Sequence, residues 1–174
     1  MKNVYKVLSI CLIVAGLVCP GCKSSSTAQL EENKAIARRW VDEANKGSLA
    51  TVIELLAPDF VYHGTGTGTG GPGVPRKPMT REELEQGMHN FFAAFPDTRL
   101  TIEDTIAEGD RVVMRWTFRA THKGDFAGMP ATGKELTVTW ILILRIADGK
   151  IVEMWSQADE LSWAQQVGAI PTDE

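Results

Sequence analysis

Ile151-Val152-Glu153-Met154-Trp155-Ser156-Gln157-Ala158-Asp159 closes a series of alternating stretches, and its reading decides the fold. Extended backbone sends successive side chains to opposite faces. Ile151, Glu153, Trp155, Gln157 and Asp159 then share one face, and Val152, Met154, Ser156 and Ala158 the other. An indole, an amide and a carboxylate in a row suit the wall of a partly polar pocket, and the first of these faces is assigned that place.

Working outward, Asp148-Gly149 is a two-residue hairpin signal. Before it, Glu135 to Ala147 puts Leu136, Val138, Trp140, Leu142, Leu144 and Ile146 on one face. A loop from Gly124 to Gly133 carries Phe126 and Met129. Asp110 to His122 alternates Val112, Met114, Trp116, Phe118, Ala120 and His122 against Arg111, Val113, Arg115, Thr117 and Arg119. Gly109-Asp110 marks another turn, and Thr98 to Glu108 places Leu100, Ile102 and Ile106 together. These stretches predict a four-stranded antiparallel meander.

Helical spacing precedes the meander. Ile36, Trp40, Val41 and Ala44 form a stripe within Leu30 to Lys46, and Gly47 stops that helix. Ser48 caps a short second helix with Leu49, Val52, Ile53 and Leu56 on its apolar side, ended by Pro58. Asp59 to His63 reads as a short strand, with Phe60 and Tyr62 on one face and Val61 and His63 on the other. Thr80-Arg-Glu-Glu83 is a capping box, followed by the stripe Leu84, Met88, Phe91, Phe92 and Phe95, with His89 off its centre. A final helix runs from Leu161 to Val167. Helices segregated on one face of an antiparallel sheet give an α+β domain, here a long curved sheet folded over N-terminal helices around a conical cavity.

Composition bounds the function. The net charge of −4 supplies no basic footprint for nucleic acid. Cys11, Cys19 and Cys22 are the three cysteines, so the rest of the chain has no disulfide, thiolate metal site or cysteine nucleophile. Three histidines with no i, i+4 pair make a poor metal site, and no metal or cofactor is expected. No G-x-S-x-G elbow is present. Gly66, Gly68 and Gly71 spell G-x-G-x-x-G within the glycine-rich segment 64–75. Pro72, Pro75 and Pro78 intervene before any helix, so the match is a decoy and the segment reads as a loop over a pocket mouth.

The N-terminus reads as an export signal. Lys2 and Lys6 precede the apolar run Val7 to Val18, which is shorter than the ~20 residues a membrane span needs. Pro20-Gly21-Cys22 follows and resembles a bacterial lipoprotein signal, although Cys19 stands where such signals usually carry leucine. The expected organisation is a signal over 1–21, a lipidated Cys22 with a polar tether over 22–30, a domain over 31–170 and a tail over 171–174. Attachment to a bacterial membrane by an N-terminal lipid is the first reading; plain secretion and an uncleaved anchor are the alternatives.

Ala94-Phe-Pro-Asp97, Ala107-Glu-Gly-Asp-Arg-Val112, Thr121-His-Lys-Gly-Asp-Phe126, Pro130-Ala-Thr-Gly-Lys134 and Asp148-Gly-Lys-Ile-Val-Glu153, with Trp155, Asp159 and Gln166-Val-Gly168, resemble the SnoaL-like polyketide and ester cyclases of the nuclear transport factor-2-like superfamily. The resemblance runs from about Asn33 to Gly168. It implies the cone-shaped fold and, by position at the end of the last strand, Asp159 as acid/base, with His63 and His122 as further catalytic candidates near the pocket that, with Gln157, are the available donors to an oxyanion. It also implies a metal-free aldol closure: a base removes a proton alpha to a carbonyl, and the enolate attacks a second carbonyl. Trp155, Gln157, Trp116 and Trp140 are the expected pocket residues. The resemblance further implies homodimerisation through a sheet face, either that of Arg115, Thr117 and Arg119 or the apolar face opposite.

Each assignment has a plainer reading. Asp159 stands where an N-cap of the Leu161 helix belongs. His122 fits a hydrogen-bonded position at a sheet edge, and the tryptophans fit core packing. Epoxide hydrolysis is hinted at only by Asp159 with Gln157. Two classes therefore stay open: a cyclase- or isomerase-type enzyme acting on a small carbonyl compound, and a non-catalytic, lipid-anchored module binding an apolar ligand or a partner. The family resemblance favours the first, which is the leading expectation; the expected export signal favours the second, because polyketide chains are made inside the cell.

Overall fold

The structure, a computed structural model, describes residues 26–64 and 77–171. Residues 1–25, which carry the expected signal and lipidated Cys22, lie outside the described residues, as do 65–76 of the glycine-rich segment and 172–174 of the tail.

Helix α1 spans Thr27–Asn45 and begins three residues before the expected start. Ser26 is the reason: its hydroxyl accepts the Gln29 N–H at 3.2 Å, satisfying a first-turn donor, so the end of the expected tether is helical. Helix α2 covers Leu49–Glu54, although the Ser48 side chain makes no capping bond. Strand β1 then runs Leu56–Gly64, longer than the expected 59–63, with Pro58 inside it. Strand β2 is Met79–Thr80, and α3 is Arg81–Ala94. The capping box at α3 forms as the sequence predicts: the Glu83 N–H donates to Thr80 Oγ1 at 3.3 Å, and the Thr80 N–H donates to Glu83 Oε2 at 2.8 Å.

The meander comprises β3 (Arg99–Glu108), β4 (Arg111–Thr121), β5 (Glu135–Ala147) and β6 (Lys150–Ala158), and α4 (Glu160–Val167) closes the domain. The sheet has six strands in the order β2-β1-β6-β5-β4-β3. Its opening strand β1 lies parallel to β6, with Tyr62 beside Met154 and His63 beside Trp155. The chain thus returns its last strand to the first, curving the sheet over α1 and α3. The α+β class and the cone architecture stand as expected.

Two bulges change which residues face the helices. In β3 the register with β4 slips between Ile102 and Asp104, leaving Glu103 extra. Leu100 and Ile102 face inward, but Ile106 is turned outward and is 66% exposed. In β6 the register with β5 slips between Ile146 and Arg145, leaving Val152 extra. Ile151 and Met154 are therefore both buried, and the inner face continues through Ser156 and Ala158. Such an extra residue inverts the alternation beyond it.

Side-chain bonds hold the layers together. Asn45 at the end of α1 donates to Leu100 O and accepts the Leu100 N–H, both at 2.8 Å, tying α1 to β3. Asp97 accepts the Thr121 N–H and hydroxyl at 2.8 Å and Lys123 Nζ at 2.7 Å. The Lys123 and Thr121 bonds hold its carboxyl well below the usual aspartate range.

Candidate functional site

Between α1, α3 and the concave face of the sheet lies a cavity of about 140 Å3. Helical spacing brings Trp40 and Ala44 of α1 and Leu84, Met88, Phe91 and Phe92 of α3 to it from one side. Strand alternation brings Tyr62 of β1, Leu100 of β3, Trp116 and Phe118 of β4, Trp140 and Leu142 of β5, and Met154 and Ser156 of β6 from the other, with Thr98 just before β3. Cross-strand register explains the grouping: Trp116 lies opposite Trp140, Leu142 opposite Ser156 and Leu144 opposite Met154.

The wall is mainly aromatic. Trp40 meets Trp116 edge to face at 6.2 Å, Trp116 meets Trp140 at 5.9 Å and Phe118 meets Trp140 at 5.7 Å. Trp140 Nε1 donates to Ser156 Oγ at 3.2 Å. Among the described residues, the buried indole N–H groups of Trp40 and Trp116 find no acceptor. Among the described residues, the lining contains neither a carboxylate nor an imidazole.

The sequence-predicted residues divide between the two faces. Trp116 and Trp140 line the cavity. Trp155 and Gln157 do not. They lie on the outer face of the sheet, because the pairing of β6 with β5 turns Met154, Ser156 and Ala158 inward. Trp155 and Gln157 instead border a second concavity there with His63, Gly64, Ile141 and Ile143. His63 stacks on Trp155 at 5.2 Å and donates Nε2–H to Glu153 Oε1 at 2.8 Å. Arg145 Nε donates to Glu153 Oε2 at 2.9 Å, and the Arg111 guanidinium sits 5.0 Å from the Trp155 ring. Burial pushes the Glu153 carboxyl up, but the bonds from His63 and Arg145 outweigh it and leave the pKa below the ordinary glutamate value.

His122 and Asp159 stand apart from both concavities. His122 follows β4, is fully buried, stacks on Phe95 at 5.1 Å and bonds through Nδ1 to Thr132 Oγ1 at 3.1 Å. Burial lowers its pKa, so it is a neutral imidazole pinning the loop between β4 and β5. Asp159 is exposed, and its carboxylate accepts the Ser162 N–H at 3.0 Å as the N-cap of α4. The plainer reading of each describes its observed contacts.

Sequence reasoning missed Trp40, Tyr62 and Ser156 as cavity residues. Ser156 left a signal: it is the polar residue between Met154 and Ala158 on an otherwise apolar face. Trp40 left none, because an indole in a helical stripe looks like ordinary core.

The family model for SnoaL-like polyketide cyclases matches residues 34–167. No curated protein sequence matches the chain. Among solved structures, the chain is similar to IdmH from Streptomyces antibioticus, a candidate polyketide cyclase, with 34% identity over 78% of this chain and 98% of that one and a TM-score of 0.68. It is also similar to AclR from Streptomyces galilaeus, a candidate hydroxylase, with 29% identity over 82% and 99% and a TM-score of 0.72. A candidate SnoaL-like polyketide cyclase from Jannaschia sp. CCS1 shares the fold at 22% identity, over 84% and 99%, with a TM-score of 0.72. With a fold shared with these structures and with the family model spanning nearly all of the described domain, the chain belongs to the SnoaL-like polyketide cyclase family.

Proposed function

We propose that this chain binds a largely apolar, ring-bearing carbonyl compound in the cone. The observation that carries this reading is the enclosed, mainly aromatic cavity, whose lining also includes Tyr62, Thr98 and Ser156. Engineered apolar cavities of about 150 Å3 take up benzene, so the enclosed part of the ligand is about one ring.

Binding ranks ahead of turnover because the described lining offers no carboxylate or imidazole base, and residues 65–76 contain no Asp, Glu or His in their sequence. The second reading, an aldol-type cyclase or isomerase with Asp159 as base, is favoured by one observation. Asp159 follows Ala158, whose cross-strand partner Trp140 forms the cavity wall. For this chemistry the carboxylate must leave the Ser162 N–H and enter the cone.

1-Indanone, a compact aryl ketone, separates the readings. Binding is read by quenching of tryptophan fluorescence and should be blocked by Met88→Trp, which fills the cavity. Deuterium uptake at its alpha carbon in D2O reads proton abstraction. Quenching without protein-dependent exchange is the expected result. Exchange that disappears in Asp159→Asn would establish the cyclase-type reading, and absence of quenching would sink both.

We also infer that residues 1–21 direct export and that Cys22 carries the lipid anchor. The support is sequence alone: a short charged start, an apolar run too short to span, and a small residue before cysteine.

A further inference from the structure

A third concavity, distinct from the one beside Trp155, adjoins the aromatic cavity. Ala44, Phe92 and Thr98 line both, so the two meet along the junction of α1, α3 and the start of β3. Its charged and titratable side chains are Lys46, His89 and Arg99, and no aspartate or glutamate lines it. This reverses the sign of a chain whose net charge is −4.

The three groups are not equally free. Lys46 Nζ is tied to Glu43 Oε1 at 2.9 Å. Arg99 gives one guanidinium N–H to the neighbouring Thr98 carbonyl at 2.9 Å and has no carboxylate partner among the described residues. Its cross-strand neighbour in β4 is Arg119, so no opposite charge faces it across the strand pair. An unmatched guanidinium keeps several donors in a fixed plane, a geometry that suits a carboxylate.

Size joins the two concavities functionally. The aromatic cavity encloses about one ring, so a larger ligand must extend beyond it, and one route out passes Phe92 and Thr98 to the basic rim. We propose that the ligand of the cone is an amphiphilic carboxylic acid. Its ring enters between Trp40, Trp116 and Phe92, and its carboxylate rests on Arg99, with Lys46 and His89 alongside. This rests on the reading of the cavity as a ligand site and adds the chemical class of what it holds.

The test uses 4-oxo-4-phenylbutanoate, which has one ring, one ketone and one carboxylate, against its uncharged methyl ester. Both are titrated into the full-length chain and followed by tryptophan fluorescence. The acid should bind about tenfold tighter than the ester at low ionic strength, the scale of one charge-assisted bond. The advantage should shrink in 0.5 M sodium chloride, as expected for a rim-exposed charge, and Arg99→Gln should erase it. The salt series on the unsubstituted protein keeps the test open should Arg99→Gln fail to fold. Equal affinity for acid and ester overturns the carboxylate site while leaving the cavity reading standing. A preference that survives both high salt and Arg99→Gln overturns it as well. If neither probe binds, the cavity reading falls and takes this inference with it.

Discussion

At Asp159 one side chain serves two readings that the sequence could not separate, because an acid just before a helix is both an N-cap and a pocket candidate. Its bond to the Ser162 N–H makes a specific demand. Asp159→Ala should cost about 1 kcal/mol in urea unfolding, and Asp159→Asn, which still accepts a bond, should cost much less. Equal losses would remove the capping account. His122 carries the pH dependence. Burial lowers its pKa below the ordinary value of 6.5, so as pH falls the unfolded chain takes up this proton first. Between the two pKa values the unfolded state holds more protons, and stability falls with falling pH. The contribution is complete above about pH 6.5 and is lost as the pH drops toward the lower folded value. Asp97 and Glu153 are also lowered, but they begin to lose stability only below their ordinary values of 3.8 and 4.5. The melting temperature should therefore fall between pH 7 and 5, and His122→Gln should flatten that slope. A parallel slope in the variant would assign the effect to other groups. Of the site itself, Trp116 and Trp140 were legible because each sits in an unbroken alternating strand. Trp155 and Gln157 were misplaced because polarity alone does not say which face of a strand looks inward.

Elements were legible where their pattern is self-contained. The capping box fixes the start of α3, and strict alternation over 13 residues fixes β5. The pairing of β1 with β6 was not legible, because alternation marks a strand without naming its neighbour or direction. The bulges at Glu103 and Val152 were invisible for a different reason. An extra residue in a ladder has no compositional mark, yet every face assignment beyond it inverts. The consequence for β3 can be measured. Leu100, before the bulge, is 8% exposed, and Ile106, beyond it, is 66% exposed. Leu100→Ala should cost about 2–4 kcal/mol, while Ile106→Ala should stay within about 0.5 kcal/mol. Comparable losses at both positions would return Ile106 to the inner face and remove the bulge. The same bulge logic accounts for β6, where Val152 lets Ile151 and Met154 both pack inward and leaves Glu153 and Trp155 to meet His63 outside.

For the whole molecule, family motifs scattered from Ala94 to Gly168 made the fold readable, whereas ligand chemistry depends on a cavity assembled from seven elements and the short segment before β3. Outside the cone, Arg115, Trp155 and Ile141 share the outer sheet face, and α1 and α3 pack on the other side. Attachment to a membrane poses a separate physical question. Among the described residues no helix is long and apolar enough to cross one. The run Val7 to Val18 is also short for a span. If Cys22 is the lipidated residue, only Lys23 to Ser26 separate it from the first turn of α1. Four extended residues reach about 13–14 Å, so the domain would be held close against the lipid surface. A single acyl chain gives marginal, reversible binding, so stable anchoring at Cys22 would require more than one. Cys22→Ser should therefore abolish labelling by radioactive palmitate and move the protein out of the membrane fraction. Unlabelled wild-type protein in the soluble fraction would mean plain secretion. A Cys22→Ser protein that still sediments with membranes would mean that the uncleaved apolar run is the anchor. Either result would detach the lipid proposal while leaving the cavity and its ligand chemistry to be judged by the ketone titrations.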